Sequence, residues 1–187
     1  MQKLGIVAAS VLSQGPSKAT PTPIALRTDR PPSPYDSSTD REIPDRVVSY
    51  YEGDEGRPVL RRGLTEAERA ALDARASELR GALAPFRPED QRKLGAAIAR
   101  MLNGFSQMQR HDAAAAAQTT SAYLSTLRAR PAWAIVEACE RVRRGAAGSN
   151  PDFPPSEPRL NQIVSELIAP YRARLRKIEP LLAARCM

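Results

Sequence analysis

The sequence has few of the residues on which most catalytic and metal sites depend. Its 187 residues include one histidine, His111, and only two cysteines, Cys139 and Cys186, which lie far apart in the chain. A zinc site needs several Cys or His ligands, and a nucleophilic triad needs a histidine beside its nucleophile. The composition therefore predicts no disulfide framework, no zinc site and no histidine-dependent catalysis, and we expect no cofactor and no enzymatic activity.

Long apolar runs and phosphate-binding glycine loops are also missing. No stretch approaches the roughly 18 apolar residues of a membrane-spanning helix. The N-terminal apolar run, Gly5 to Leu12, is short, is interrupted by Ser10 and follows a single lysine, which is not typical of a signal peptide. The pattern G-x-x-x-x-G-K-[S/T] of P-loop ATPases does not occur. We expect a cytoplasmic protein without a membrane partner.

Aromatic residues are scarce, at 5% of the chain, whereas hydrophobic residues make up 42% and many of them are alanine. A core of Leu, Ile, Val and Ala suits helices better than packed sheets. We therefore expect an all-α fold, a compact bundle of about five helices over residues 64–187. Residues that favour helix starts recur along this region, at Thr65, Pro88, Asp112, Pro131 and Ser156.

The first 63 residues lack the periodicity of helices. Residues 1–45 are rich in Pro, Ser, Thr and Asp, and we expect them to form a disordered arm, because they cannot bury enough surface to offset chain entropy. Within this arm, "PPSPY" (residues 31–35) is either a polyproline ligand or a spacer. Residues 46–63 hold two short extended runs around the turn-rich "EGDEG", which predicts a small β-hairpin or an extended linker.

The net charge of +7 is carried by the predicted helical domain. Residues 1–45 hold five basic and five acidic residues, whereas residues 64–187 hold 19 basic and 13 acidic ones. Two basic clusters stand out, Arg141, Arg143 and Arg144 at the end of the fourth predicted helix, and Arg172, Arg174, Arg176 and Lys177 on the fifth. The helix macrodipole explains the position of the first cluster but not of the second. If both lie on one surface they are candidates for contacting DNA phosphates; the alternative is a solvated basic face.

The fourth predicted helix also carries the only tryptophan, Trp133, and Cys139. Trp133 is either a core residue that locks this helix against the fifth, packing near Phe153, or a residue that stacks on a ligand or anchors a partner. Cys139 lies on the apolar face of the helix, which favours an inert core thiol over a nucleophile. Under the second interpretation of Trp133, the candidate partner-binding residues are Trp133 and Phe153.

The loop after this helix contains Gly145 and leads to the pattern Phe-x-Pro-Ser-x-x-x-Leu, at Phe153 to Leu160. The segment from Trp133 to Leu160 resembles phage replication proteins that load or inhibit the host replicative helicase, and the wider chain is similar to uncharacterised prophage-encoded proteins. The resemblance implies a non-enzymatic accessory protein of phage or prophage DNA replication, which binds DNA, the replicative helicase or both through its basic helical domain. The alternative is a protein-only structural or regulatory adaptor without nucleic-acid contact.

Overall fold

A computed structural model describes residues 31, 33–35, 38–52, 57–108, 112–146 and 152–184. These ranges are mostly helical, as predicted, with one two-stranded hairpin. The elements in chain order are a π-helical turn (Ser38–Glu42), α1 (Ile43–Val47), β1 (Val48–Glu52), β2 (Arg57–Leu60), α2 (Glu66–Leu83), a 3₁₀ turn (Pro88–Asp90), α3 (Gln91–Leu102), α4 (Ala113–Leu127), α5 (Ala132–Arg143) and α6 (Glu157–Ala183).

The predicted hairpin is confirmed. Strands β1 and β2 pair antiparallel, with Val48 opposite Leu60 and Glu52 opposite Arg57. The register shifts between Val48 and Tyr50, which marks an irregularity of the β-bulge kind. Pro58 is tolerated because a two-stranded sheet has only edge strands.

Local sequence signals set the starts of the helices. The Thr65 hydroxyl accepts a hydrogen bond from the Glu68 amide (3.2 Å), and the Glu68 carboxylate accepts one from the Thr65 amide (3.0 Å), which completes the predicted capping box of α2. The Asp112 carboxylate caps α4 by accepting from the Ala115 amide at 2.7 Å. These pairings satisfy amide groups that have no partner inside their own helices.

The start of α6 differs in detail from the prediction. Ser156 occupies the N-cap position, but its side chain makes no capping hydrogen bond. Its backbone carbonyl accepts the first helical bond, from the Leu160 amide at 2.9 Å. At the end of α5, Gly145 has a φ of 71°, a left-handed conformation that glycine adopts without a steric cost.

The helices enclose two hydrophobic clusters that share α6. The first cluster, here the α3–α5 core, joins α3, α4, α5 and the N-terminal half of α6 around fully buried Ile98, Leu127 and Ile135. The second, here the α2 core, joins α1, β1, α2 and the C-terminal half of α6 around Leu72 and Leu79. Trp133 and Leu83 pack against both clusters, so they lie at the boundary between them.

The predicted end of the arm at residue 45 is wrong, because the folded region begins earlier. Residues 38–47 are helical, and Ile43 and Val47 are buried in the α2 core. Asp40 is also buried and forms an ion pair with Arg75 of α2, at 3.1 Å. Ile43 and Val47 are four positions apart, as on one face of a helix. This signal is weak in the sequence because the residues before it are rich in Pro, Ser, Thr and Asp. Residues 1–30, 32, 36 and 37 of the predicted arm lie outside the described residues.

Candidate functional site

A groove runs between α5 and α6 and is bordered by residues that precede the first helical turn. Its volume is about 620 Å³. Helix α5 supplies Trp133 to one wall, and α6 supplies Tyr171 to the other. The full lining consists of Pro31, Pro34, Tyr35, Trp133, Val136, Glu137, Arg141, Leu167, Pro170 and Tyr171. Rings of proline, tyrosine and tryptophan therefore make up much of the surface.

Trp133 is held from two sides, so its ring presents a fixed surface to the groove. The indole Nε1–H donates to the carbonyl oxygen of Ala82 at the end of α2 (2.7 Å). The ring packs against Tyr171 with centroids 5.1 Å apart and an interplanar angle of 52°, within the range of favourable tilted aromatic pairs. Trp133 thus packs against the core, which is the first of its two predicted roles, and it also lines an open groove. Its second predicted role, binding a ligand or a partner, stays a prediction.

The predicted packing of Trp133 near Phe153 is wrong. The Phe153 side chain is 50% exposed and belongs to neither cluster. The loop that carries it is held instead by Tyr123, whose buried hydroxyl donates to the Pro155 carbonyl. Because Tyr123 lies on α4, this hydrogen bond ties the start of α6 to α4.

We call residues 31–35 the strap. Its described residues, at positions 31, 33, 34 and 35, border the groove or lie next to it. Arg75 of α2 donates to the Ser33 carbonyl, and the Arg174 guanidinium lies over the Tyr35 ring, 5.7 Å from its centroid. The Tyr35 side chain is otherwise largely exposed, at 65%. The strap is therefore anchored through its backbone and through one cation–π contact.

Arg75 connects the strap to the folded core. Its guanidinium is buried and hydrogen-bonds Asp40 at 3.1 and 3.2 Å and Glu78 at 3.0 Å. Burial alone would lower the pKa of Arg75, but the hydrogen bonds to Asp40 and Glu78 outweigh it, and the net pKa is raised. Arg75 thus stays charged and fixes both the π-helical turn and the strap against α2.

The groove itself carries little uncompensated charge. Glu137 and Arg141 lie one turn apart on α5 and form an ion pair at 3.1 Å. Arg174, at the strap, directs its guanidinium to the Tyr35 ring. The two charged side chains of the lining are thus paired with each other, so the groove carries no net charge.

The seven basic residues predicted to bind DNA are distributed over several surroundings. Arg141 lines the groove, Arg143 pairs with Glu140 at 2.9 Å, and Arg174 contacts the strap. Arg172 and Arg176 line a separate shallow cavity of about 450 Å³, together with Glu179. The remaining two, Arg144 and Lys177, are exposed.

Helix geometry explains this separation. Residues two apart on an α-helix point about 200° away from each other, whereas residues four apart share a face. Arg172 and Arg176 therefore lie together, and Arg174 points to the strap instead. Arg141 and the pair of Arg172 and Arg176 therefore line different cavities, and joint contact of the two clusters with DNA stays a prediction.

Cys139 is a core residue, as its position on the apolar face predicts. Its side chain is 1% exposed, and burial raises the pKa of its thiol to about 12. A thiol in this state is almost entirely protonated at neutral pH, so it is a poor nucleophile. His111 and Cys186 lie outside the described residues.

Two further features bear on the class of site. Within the described ranges, no group of three or more His, Cys, Asp or Glu side chains is arranged to hold a metal ion. No helix in the same ranges is long and apolar enough to cross a membrane.

Comparison with known proteins identified no matching family model, no matching curated protein and no matching solved structure. The resemblance of residues 133–160 to helicase-loading phage proteins therefore stays a prediction. Among the residues of the groove, sequence reasoning found Trp133 and the strap motif, but it missed Tyr171 and Pro170. Their only sequence signal is an aromatic residue next to a proline within a helical pattern, which does not indicate a binding surface.

Proposed function

We propose that this protein is a non-enzymatic adaptor that binds another protein through the groove between α5 and α6. The observation that carries the proposal is the groove's lining, with Trp133 and Tyr171 fixed against each other beside an open volume of about 620 Å³. Fixed aromatic rings are common anchors of protein interfaces, since they bury a large apolar area and lose little conformational entropy.

The charges of the groove favour a protein ligand over a phosphate backbone. Binding of DNA is driven largely by unpaired cations that replace counterions at the phosphates. In the groove, Arg141 is already paired with Glu137, and a phosphate at this position would also meet the glutamate's negative charge. An apolar segment of a protein meets no such repulsion.

The test compares proteins captured by three versions of the full chain. Val136→Lys places a charge in the groove, and Val59→Lys makes the same substitution at a partly buried position of β2, outside the groove. Each version is immobilised and exposed to a nuclease-treated extract of cells that carry the gene. We expect at least one protein to bind the parent and Val59→Lys but to bind Val136→Lys at least about ten-fold less, the change that about 1.4 kcal/mol produces.

Circular dichroism must first show that both variants remain folded. Identical sets of captured proteins on all three versions would contradict the adaptor function of the groove. Identification of a replicative helicase among the groove-dependent proteins would support the partner that the sequence resemblance implies.

A different observation favours a second function. In it, the protein binds DNA directly and acts as an accessory protein of phage or prophage DNA replication. Arg144, Arg172, Arg176 and Lys177 are exposed or line a shallow cavity, and in the described parts of the chain none of them has an ion-pair partner. Cations of this kind are available to contact phosphates, and the chain carries a net charge of +7.

This second function predicts a specific dependence on salt. Replacing Arg172 and Arg176 with glutamine should weaken the binding of a labelled DNA duplex. It should also reduce the slope of log K against log [salt] by about 0.9 for each phosphate that the variant no longer neutralises. The control, Arg92→Gln with Arg100→Gln on α3, removes the same charge from another surface. Fluorescence anisotropy over a salt series measures the affinity for DNA and its dependence on salt. Absence of DNA binding by the parent at low salt would exclude this role.

A further inference from the structure

The strap has the sequence Pro-Pro-Ser-Pro-Tyr, which is the composition of ligands that bind aromatic grooves in the polyproline II conformation. In the structure, Pro31, Pro34 and Tyr35 border the groove that also contains Trp133 and Tyr171. The chain thus brings a proline-rich segment and an aromatic groove into contact within one molecule.

The strap does not fill this groove. About 620 Å³ remains open between the strap and the two helices, and Tyr35 is 65% exposed. The strap is held mainly by the Ser33 carbonyl, which accepts from Arg75, and by the contact of Tyr35 with Arg174. A longer segment would therefore have room for contacts with Trp133 and Leu167 beyond those of the strap.

We propose that the groove binds a proline-rich, extended segment of a partner protein, and that the strap is an internal competitor which this segment displaces. The inference rests on the proposed adaptor function and specifies the chemistry of its partner. Stacked proline and aromatic rings supply the affinity, because proline-rich segments are already extended and lose little entropy on binding.

Tethering determines how strongly the strap competes. A segment joined to its own binding site by a short linker acts at an effective concentration in the millimolar range. A partner segment must therefore bind more tightly than the strap does, and the open part of the groove provides the additional contact area. Weakening the strap should increase the affinity of the groove for an external peptide.

The test uses a synthetic peptide with the sequence of residues 27–38, RTDRPPSPYDSS, and the full-length protein. Trp133 is the only tryptophan of the chain and lies in the groove, so its fluorescence reports binding directly. The peptide is titrated into the parent and into a strap variant that carries Pro31→Ser, Pro34→Ser and Tyr35→Ser. We expect the strap variant to bind the peptide at least about ten-fold more tightly than the parent, because the tethered competitor is weakened.

Two controls separate this effect from general changes in the chain. Pro16→Ser, Pro21→Ser and Pro23→Ser together remove prolines from the preceding region, and this variant should bind the peptide as weakly as the parent does. A peptide in which all prolines are serine should not bind the strap variant. If the triple strap variant is less folded than the parent by circular dichroism, the single substitution Tyr35→Ser replaces it.

Equal affinity of the parent and the strap variant for the peptide would overturn the role of the strap as a competitor. Failure of the strap variant to bind any proline-rich peptide would overturn the proposed partner chemistry. A parent that is dimeric in sedimentation velocity, with a monomeric strap variant, would instead assign the groove to the strap of a second copy. The adaptor function is judged separately, since groove-dependent capture of a protein without proline-rich segments would support it and exclude the present inference.

Discussion

At the scale of single residues, Trp133 combines several contacts. Its indole N–H bonds the Ala82 carbonyl, its ring packs on Tyr171, and it contacts both hydrophobic clusters. Since Ala82 is itself buried, its carbonyl has little access to water as an alternative partner. The same side chain therefore supports the boundary between the clusters and forms one wall of the groove.

We expect Trp133→Ala to lower the free energy of unfolding by about 3–5 kcal/mol, because it leaves a large cavity. Trp133→Phe keeps an aromatic ring but leaves the Ala82 carbonyl without its donor, so a loss of about 1–3 kcal/mol is expected. Urea denaturation followed by circular dichroism measures both values. An alanine variant as stable as the parent would show that Trp133 serves only the groove.

At the scale of elements, the buried pair of Arg75 and Asp40 joins the π-helical turn to α2. The two side chains are 5% and 0% exposed, and Arg75 also donates to the Ser33 carbonyl. Removing one partner of a buried ion pair leaves an uncompensated charge in a region of low dielectric constant. The hydrogen bond that ties the backbone of the strap to α2 comes from this same arginine.

We expect Arg75→Met to lower the free energy of unfolding by about 3–5 kcal/mol, since Asp40 then remains buried without its partner. The double variant Arg75→Met with Asp40→Leu should recover most of this loss, because apolar residues of similar volume often replace a buried pair without a large cost. Urea denaturation of the two single variants and the double variant gives the coupling energy. Losses that simply add in the double variant would contradict the pairing.

The start of α2 predicts a dependence of stability on pH. A hydrogen bond from Arg62, at 2.7 Å, and the Thr65 amide lower the pKa of Glu68 to about 2, from an ordinary value of about 4.3. Because this pKa is lower in the folded state, its contribution to stability is complete above about pH 4.3. The contribution is lost as the pH falls towards 2.

We therefore expect Glu68→Gln to melt at a lower temperature than the parent at neutral pH, with a difference that narrows below about pH 4.3 and disappears near pH 2. Thermal melts at a series of pH values provide the measurement. Glu66→Gln is the matched control, since it removes a carboxylate from the same turn without changing the capping box. A difference that stays constant across this pH range would argue against the assigned role of Glu68.

At the scale of the whole molecule, the two hydrophobic clusters are joined by a single long helix. Helix α6 spans 27 residues and contributes Leu160, Ile163, Val164 and Ile168 to the α3–α5 core and Tyr171, Ile178 and Leu181 to the α2 core. Because Trp133 and Leu83 also contact both, neither cluster can lose its packing without exposing surface in the other.

We expect the described helices to unfold in one cooperative transition. Leu72→Ala in the α2 core and Ile98→Ala in the α3–α5 core should each lower the free energy of unfolding by about 2–5 kcal/mol. In both variants, circular dichroism and Trp133 fluorescence should report the same midpoint in urea. Two separate midpoints would show that the clusters are independent units.

The sequence by itself determined the hairpin and the five long helices, because their signals are local, whereas it did not predict α1 or the π-helical turn before it. The capping box at Thr65, the cap at Asp112, the end of α5 at Gly145 and the hairpin around "EGDEG" depend on residues within a few positions of one another. The burial of Cys139 also follows from the period of its own helix. Such features need no knowledge of the rest of the chain.

Only the tertiary structure decided where the strap docks, what Trp133 contacts and how the arginines are distributed. Asp40 meets Arg75 across 35 positions, and Trp133 meets Ala82 across 51. The approach of α5 to α6 forms the groove, while the direction of each side chain on α6 separates Arg174 from Arg172 and Arg176. Contacts between distant residues depend on how complete helices pack, and a local sequence pattern does not encode that packing.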